Sequence, residues 1–223
     1  MIERLKRSKF IFKIFYYIKP VLGLFEKKIK GNENKIINDS LISNIKFDIV
    51  GNNNFIHFKK GSRIFKLNVF VRGNNHTVII GENCIIKKGE IWIEDQNCSL
   101  TIGDHTTIED VHFGITEPNS KIEIGLDCMF SSGIKLITGD SHSIINLENN
   151  QRINYADNIL IGDHVWIGAD VLILKGSEVN KDSVIASRSI VTKKTKNTNV
   201  VLMGSPAKIL KENITWDRER VYI

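Results

Sequence analysis

Large aliphatic residues recur at every sixth position in the carboxyl-terminal third of the chain, and a smaller residue follows most of them four places later. The large positions are Ile161, Ile167, Ile173, Val179, Ile185 and Val191, and the smaller ones are Val165, Val171, Ser177, Ser183 and Ser189. A six-residue period fits neither the 3.6-residue turn of an α-helix nor the alternation of a hairpin. The pattern predicts a short strand and a turn, repeated along a solenoid.

The same unit occurs upstream at a longer interval. Ile80, Ile102 and Ile124, each followed by glycine, are spaced 22 residues apart, and the fourth residue after each is Cys84, Thr106 and Cys128. Three hexapeptides account for eighteen residues, so this interval indicates one three-sided coil with a few residues of bulge or loop. Each coil can bury its aliphatic ridge only by stacking on its neighbours. We predict that the coils begin near Ile45.

The repeat is interrupted once. Hexads are clear up to Ile137 and resume near Ile159, so the intervening residues are predicted to leave the solenoid as a loop. The fold class is therefore all-β, a parallel β-helix with a protruding loop and a short amino-terminal helix. The predicted boundaries are 1–44 for a basic amphipathic segment, 45–196 for the β-helix with its loop at 139–158, and 197–223 for a carboxyl-terminal extension.

Composition narrows the function classes. The chain has 223 residues, 42% of them hydrophobic and 25% charged, and a formal net charge of +6. These values exclude a disordered tail and permit an anionic ligand such as a phosphate-rich cofactor. The three cysteines lack CxxC spacing, which argues against a disulfide framework or a zinc site and favours the cytoplasm. Cys84 and Cys128 are expected to pack inward, and Cys98 has no assigned position.

Residues 1–30 combine basic and aromatic side chains. Lys13 and Lys19 interrupt the apolar run, so the segment is a poor signal peptide and a poor membrane span. Two interpretations remain for it as an amphipathic helix. It packs on its own or a neighbouring subunit, or it makes peripheral contact with an anionic membrane surface at the inner face of the membrane.

Two motifs carry a family resemblance. Residues 161–171 read IGDHVWIGADV and residues 204–208 read GSPAK, which resembles the signature of the hexapeptide-repeat acyltransferases. The loop sequence GDSHSI at 139–144, with LEN and RIN after it, is similar to that of bacterial capsule and polysialic acid O-acetyltransferases. The resemblance implies a left-handed β-helix, a homotrimer, acetyl-CoA bound between coils, and a sugar hydroxyl of a surface polysaccharide as acceptor.

His142 is the candidate general base, because it lies in the loop where the resemblance places one. A sugar hydroxyl is a weak nucleophile until its proton is removed, and imidazole titrates in the range this step needs. Asp140, Glu148 or a backbone carbonyl would orient the ring; a solvated loop histidine is the alternative. The other histidines are expected to be structural or to point outward: His57, His76, His105, His112 and His164.

The remaining site residues follow from the resemblance. Trp166 is expected to contact the acceptor beside the acyl-transfer site, with Arg152 and Asn154 as further acceptor contacts. Gly168, with Ala169, is expected to supply backbone N–H groups for the oxyanion and to let the thioester approach closely. The predicted cofactor-binding residues are Ala169, Ala186, Ser187, Lys193, Lys194 and Lys208.

Rival functions share this fold. One is N-acetylation of an amino sugar nucleotide, or acetylation of serine or chloramphenicol, by the same chemistry. Another is a β-helix without catalysis, or one that binds a metal through converging histidines. We expect no metal, because the sequence offers no obvious set of histidines to converge on one site. It contains no Walker or dinucleotide-binding glycine loop, and no nucleic-acid partner is expected.

Overall fold

The computed structural model describes residues 25–222, which form a solenoid with three sheets as its faces, here called faces A, B and C. Face A has eight strands: β1 (Phe25–Lys30), β4 (Ile45–Val50), β7 (Leu67–Asn74), β10 (Gly89–Gln96), β13 (Val111–Ile115), β16 (Ile134–Ile137), β19 (Leu172–Leu174) and β22 (Ile190–Val191). Face B has seven: β2 (Lys35–Asn38), β5 (Phe55–Phe58), β8 (Thr77–Ile80), β11 (Ser99–Ile102), β14 (Lys121–Ile124), β17 (Ile159–Ile161) and β20 (Glu178–Val179).

Face C has nine strands: β3 (Leu41–Ser43), β6 (Arg63–Phe65), β9 (Ile85–Ile86), β12 (Thr107–Ile108), β15 (Met129–Phe130), β18 (Trp166–Ile167), β21 (Val184–Ile185), β23 (Val201–Gly204) and β24 (Ala207–Lys211). The chain visits faces A, B and C in turn, so each strand pairs in parallel with the equivalent strand of the next coil. Only β24 reverses direction, pairing antiparallel with β23 within the described residues. No α-helix occurs in residues 25–222, so no helix there could cross a membrane.

The core is a stack of inward-facing side chains. In face A, Phe47 pairs with Val69, and the register continues through Ile91, Phe113 and Leu136, all of them buried. The hexad positions predicted to point inward are buried as well, both the aliphatic residues and the smaller ones. The all-β solenoid prediction is thereby confirmed.

The corners explain the asparagine-rich sequence. Asn53, Asn75, Asn97 and Asn119 stack above one another at the corner between faces A and B, with φ between 57° and 66°. Asparagine tolerates this left-handed conformation better than other residues that carry a Cβ. The backbone N–H of each of the four donates to a backbone carbonyl of the previous coil, as in Asn75 N–H to the Asn52 carbonyl at 3.0 Å.

The buried cysteines fill small inward positions at corners. Cys84 and Cys128 lie where the repeat places them. Cys98, which the hexads leave unassigned, occupies a second buried corner column and donates its N–H to Nδ1 of His76 at 3.1 Å. His76 is therefore structural, and burial, the largest effect on it, lowers its pKa.

The solenoid begins earlier than predicted. Strand β1 pairs with β4 from Phe25 opposite Ile45, so residues 25–44 form a coil, and the predicted start near Ile45 is wrong. This coil is offset by 20 residues from the next on face A and by 22 on face C, for instance Leu41 opposite Arg63. That uneven spacing hides the period. The predicted helix and membrane contact fall mainly on residues 1–24, which lie outside the described residues.

The other end also differs from the predicted boundary. Strand β23 pairs in parallel with β21, so the solenoid continues past residue 196 to Gly204. Between β16 and β17, residues 138–158 leave the prism at the corner between faces A and B. We call residues 139–158 the catalytic-candidate loop.

Candidate active site

The catalytic-candidate loop is organised around one buried amide, that of Asn154. Its Oδ1 accepts hydrogen bonds from Ile144 N–H at 2.7 Å and Arg152 Nε at 3.2 Å. Its Nδ2 donates to the His142 carbonyl at 2.7 Å and to the Asp140 carboxylate at 2.8 Å. Asn154 therefore fixes the backbone that carries His142.

Asp140 is held away from a role as an orienting partner. Its carboxylate accepts hydrogen bonds from Lys175 Nζ and from Asn154, and the bond from Lys175 is the main reason that its pKa is lowered. The His142 side chain is exposed, and no hydrogen bond to its ring occurs within residues 25–222. Neither Asp140 nor Glu148 thus orients the imidazole within this chain.

Arg152 is engaged at the base of the loop. Its guanidinium forms a two-pronged ion pair with Glu117 of the preceding coil, and both side chains are mostly buried. The same guanidinium lies 5.1 Å from the centre of the Tyr155 ring. The guanidinium of Arg152 and both polar atoms of the Asn154 amide form hydrogen bonds within the protein. Both side chains therefore stabilise the loop, and the structure does not favour the predicted contacts with the acceptor.

Five large apolar side chains of the loop are exposed beside its polar residues. Leu147 at its tip is 97% exposed, and Ile144, Ile145, Ile153 and Tyr155 are also exposed. A cluster of exposed large apolar side chains on a protruding loop is typical of a contact surface.

Trp166 lies elsewhere, on face C between Met129 and Val184 of the neighbouring coils. Its side chain points outward and is 39% exposed. No hydrogen bond, ion pair or ring contact joins it to the catalytic-candidate loop within the described part of the chain. A single chain therefore presents the two elements on different sides of the prism.

Just after Trp166 the chain turns the corner from face C to face A. Gly168 is packed so closely that a Cβ would lie 2.7 Å from Ser187 N and 3.0 Å from the Ile185 carbonyl oxygen. Its N–H donates to that carbonyl at 2.8 Å, so this amide is committed to the sheet and is not free for an oxyanion, contrary to the prediction. The Ala169 N–H bonds only a side-chain hydroxyl, Ser187 Oγ at 3.1 Å.

The predicted cofactor residues fall into two groups. Ala169, Ala186 and Ser187 come together at the corner between faces C and A, where Ala186 N–H also pairs with Leu202 of β23. Exposed Lys208 lies on β24 opposite Met203, on the same face C. Lys193 and Lys194 come after β22, away from the corner that holds Ala169. Lys194 Nζ lies 3.9 Å from the Glu178 carboxylate on face B.

A carboxyl-terminal segment that no sequence motif indicates contacts Trp166. Trp216 returns to face C and stacks on His164 with ring centres 4.1 Å apart and planes 8° from parallel. Its ring centre is 6.2 Å from that of Trp166. Arg218 then pairs with Asp127, whose other oxygen accepts from His164 Nδ1 at 2.8 Å.

These pairings set the charge of the cluster. Burial favours the neutral forms, which alone would raise the pKa of Asp127 and lower that of His164. For Asp127, the hydrogen bonds from His164 and Arg218 outweigh burial, so its pKa is lowered. For His164, the hydrogen bonds to Asp127 and to the Trp216 carbonyl outweigh burial, so its pKa is raised. The predicted outward position of His164 is correct only in part, because the ring is covered by Trp216.

A trough of about 470 Å³ on face A contains none of the predicted site residues. Four lysines line it, but Lys88 is paired with Asp110 at 2.8 Å and Lys46 lies 3.9 Å from Glu26. In residues 25–222 no group of three or more His, Cys, Asp or Glu side chains is placed to hold a metal ion.

No protein-family model matches the chain. A polysialic acid O-acetyltransferase of Neisseria meningitidis is 38% identical over 98 residues, 44% of this chain and 46% of that protein. The matched part thus spans about half the length of this curated relative.

Two solved structures are similar over most of their length. The polySia-specific acetyltransferase NeuO matches with 32% identity and a TM-score of 0.79, covering 87% of this chain and 89% of that one. The polysialic acid O-acetyltransferase OatWY matches with 34% identity and a TM-score of 0.78, covering 89% and 93%. This chain shares their left-handed β-helix, which confirms the predicted handedness.

Proposed function

Because this chain belongs to the family of hexapeptide-repeat acetyltransferases that includes these two enzymes, we propose that it is an O-acetyltransferase. In this proposal it moves an acetyl group from acetyl-CoA to a sugar hydroxyl of a bacterial capsular or other surface polysaccharide. The observation that supports this most directly is similarity along nearly the whole chain to two enzymes named for that acceptor class. The use of acetyl-CoA favours a cytoplasmic location.

His142 acts as the general base in this reaction. The sugar oxygen attacks the thioester carbonyl carbon while the imidazole takes the hydroxyl proton. The tetrahedral intermediate then collapses, the carbon–sulfur bond breaks, and the proton passes from the imidazolium to the departing thiolate. The rigid loop built on Asn154 supports this role, because a base contributes only when it is held in position.

In this proposal the backbone N–H of Ala169 stabilises the oxyanion of the tetrahedral intermediate. Its N–H bonds only the Ser187 hydroxyl, which can rotate away when a better acceptor arrives. Gly168 contributes in another way, since the absence of a side chain keeps the corner narrow beside Ser187. A negatively charged oxygen attracts a backbone donor more strongly than the carbonyl it replaces, and this difference lowers the barrier.

Acetyl-CoA runs along the corner formed by Ala169, Ala186 and Ser187. Their backbone lines a narrow edge suited to the pantetheine arm, and exposed Lys208 on the same face is available to a phosphate. Lys193 and Lys194 follow β22 in the chain. In a trimer they would bind a phosphate of the coenzyme, either at the edge of the same groove or in the groove formed with the neighbouring protomer.

A homotrimer completes the site. The catalytic-candidate loop and Trp166 lie on different sides of one protomer, and the exposed apolar residues of the loop, among them Leu147, call for a partner surface. We therefore place His142 of one protomer opposite Trp166 of its neighbour, where the indole contacts the acceptor sugar. Mixing His142→Ala with Trp166→Ala protomers tests this, because some sites of a mixed trimer then carry neither substitution and should turn over with the unaltered acceptor KM, which neither variant shows alone. Absence of such turnover would mean that both residues act within one protomer.

The activity itself is tested by acetyl-CoA consumption with a panel of acceptors, followed by NMR of the product. Acetyl esters on an acidic or neutral polysaccharide are the expected outcome. Acetylation of an amino sugar nucleotide, serine or chloramphenicol would replace this proposal by the N-acetyl or small-acceptor alternative. Absence of turnover with every acceptor, in protein that binds no acetyl-CoA, would favour a β-helix without catalysis.

A further inference from the structure

Residues 214–218 form a strap, here called the carboxyl-terminal strap, that crosses face C beside Trp166. Its start is fixed by a mutual pair of hydrogen bonds with Asn199: Ile214 N–H donates to the Asn199 carbonyl and Asn199 Nδ2 donates to the Ile214 carbonyl, each at 3.0 Å. Its end is fixed by Arg218. The strap is therefore attached on both sides of Trp216.

Trp216 is bound to the corner that precedes Trp166. Its indole Nε1–H donates to the His164 carbonyl at 2.8 Å, and Nε2 of His164 lies 3.0 Å from the Trp216 carbonyl oxygen. The two rings stack almost in parallel, and Trp216 is only 8% exposed. Because the Trp216 side chain is buried, its ring is not available to bind a ligand directly. Any effect of Trp216 on the site must therefore pass through the residues that it contacts.

Arg218 is the anchor. Its Nε and Nη2 both reach Oδ1 of Asp127, at 3.1 and 2.8 Å, and its Nη1 donates to Thr107 Oγ1 at 2.7 Å. Nη2 also donates to the Cys128 carbonyl at 3.1 Å. One guanidinium thus joins the strap to two successive coils of face C, and through Asp127 to His164.

We propose that the carboxyl-terminal strap positions Trp166 for acceptor binding, with Trp216 as the direct contact and Arg218 as the anchor. Trp216 lies over His164, which precedes Trp166, whereas the corner residues Gly168 and Ala169 follow it. The strap therefore closes the side of the indole away from the thioester corner. With ring centres 6.2 Å apart and planes tilted by 49°, Trp216 prevents the Trp166 ring from swinging back toward the corner at His164.

This inference rests on the proposed function, in which Trp166 contacts the acceptor. It assigns Trp216 and Arg218 as positioning residues, since neither is placed to touch the reacting atoms. A positioning role differs from a merely structural one in a measurable way. It affects acceptor use more than acetyl-CoA use, because only the acceptor depends on the orientation of the Trp166 ring.

The first experiment compares Arg218→Ala with Arg220→Ala. Arg220 is exposed two positions later, and no ion pair to it occurs among residues 25–222, so it is a matched control. We expect Arg218→Ala to raise the acceptor KM by roughly fivefold to tenfold, the size expected from a displaced aromatic contact, with the acetyl-CoA KM nearly unchanged. Arg218→Lys should recover part of the loss. Equal effects of both alanine variants, or a lower melting temperature with unchanged acceptor KM, would overturn the proposal.

The second experiment needs no substrate. A variant with Trp92→Phe and Trp216→Phe leaves Trp166 as the single tryptophan, since the chain contains three. Adding Arg218→Ala should red-shift the Trp166 emission and increase its quenching by acrylamide at least about twofold, because the tilted aromatic ring at position 216 no longer shields one side of the indole. Adding Arg220→Ala should change neither.

The two readouts separate the possible failures. A quenching change in protein that acetylates nothing would mean that the strap orients Trp166 but that the proposed function is wrong. Unchanged quenching in an active enzyme would mean that the proposed function holds and the strap does not position Trp166.

Discussion

Replacing Asn154 by alanine tests whether the loop must be rigid for catalysis. The substitution removes the four hydrogen bonds made by the side chain, two of which hold Ile144 N–H and the His142 carbonyl. The residue is 7% exposed and belongs to the loop, outside the main cluster of core residues. We therefore expect disorder that is confined to the loop.

The magnitude follows from the partners that are left. A hydrogen bond contributes about 0.5–1.5 kcal/mol net, and the low end applies here because Ile144 and Asp140 are exposed, so water can replace the amide. Four such bonds amount to about 2 kcal/mol of loop order. If the ordered loop is the competent state, turnover should fall by roughly tenfold to thirtyfold.

The assay measures kcat with acetyl-CoA and the acceptor that the panel identifies. Amide hydrogen exchange at Ile144 and Ile153 is measured on the same variants. Ile153 N–H bonds the Ile144 carbonyl at 2.9 Å and reports closure of the loop. Asn149→Ala is the matched control, because this exposed asparagine accepts a single hydrogen bond, from Gln151 N–H at 3.0 Å. Normal turnover in Asn154→Ala despite faster exchange would refute the reasoning, as would an equal loss in the Asn149 variant.

Three further predictions concern other parts of the chain. Trp166→Ala should raise the acceptor KM by about tenfold while acetyl-CoA binding is retained, and the reverse ranking would move this ring to the cofactor groove. Burial raises the pKa of Cys84 and Cys98 to about 11 and of Cys128 to about 12. At pH 8 a disulfide reagent should therefore label none of the three thiols in the native protein and all three in guanidinium. Rapid labelling of the native protein would contradict this. If the basic segment contacts an anionic membrane surface, removing residues 1–24 leaves β1 intact and should keep the melting temperature while abolishing salt-sensitive binding to anionic vesicles. No vesicle binding by the full chain, with a truncation that melts lower, would favour the packed-helix interpretation.

The solenoid could be predicted from the sequence because the inward-facing position of the repeat recurs many times along the chain. Ile161, Ile167 and Ile173 each occupy one face in turn, and one irregular residue does not obscure such a series. The loop was predictable for the same reason, as an interruption of that series. The coil over residues 25–44 was missed because its faces are offset unequally from the next coil, so no single period describes it.

The site was less predictable, because its contacts are made between distant residues. Arg152 and Asn154 lie near His142 in sequence, which favoured acceptor contacts, yet hydrogen bonds to Glu117 and Asp140 use their polar groups. The strap joins Arg218 to Asp127 across 91 residues, and no local motif announces it. The sequence signal for it was Trp216 itself, an aromatic residue flanked by polar and charged side chains from Thr215 to Arg220.

The central claim is that His142 is the base of an acetyl transfer, and single-turnover kinetics of His142→Ala test it most directly. With acetyl-CoA prebound and acceptor added, the rate of ester formation should fall by at least about two orders of magnitude, the usual contribution of a positioned base. Acetyl-CoA affinity should be unchanged. His57→Ala serves as the control, because His57 lies on β5 of face B, paired with Asp39 at 3.0 Å, far from the loop in the order of coils. A His142→Ala protein that forms ester at nearly the normal rate would contradict the account.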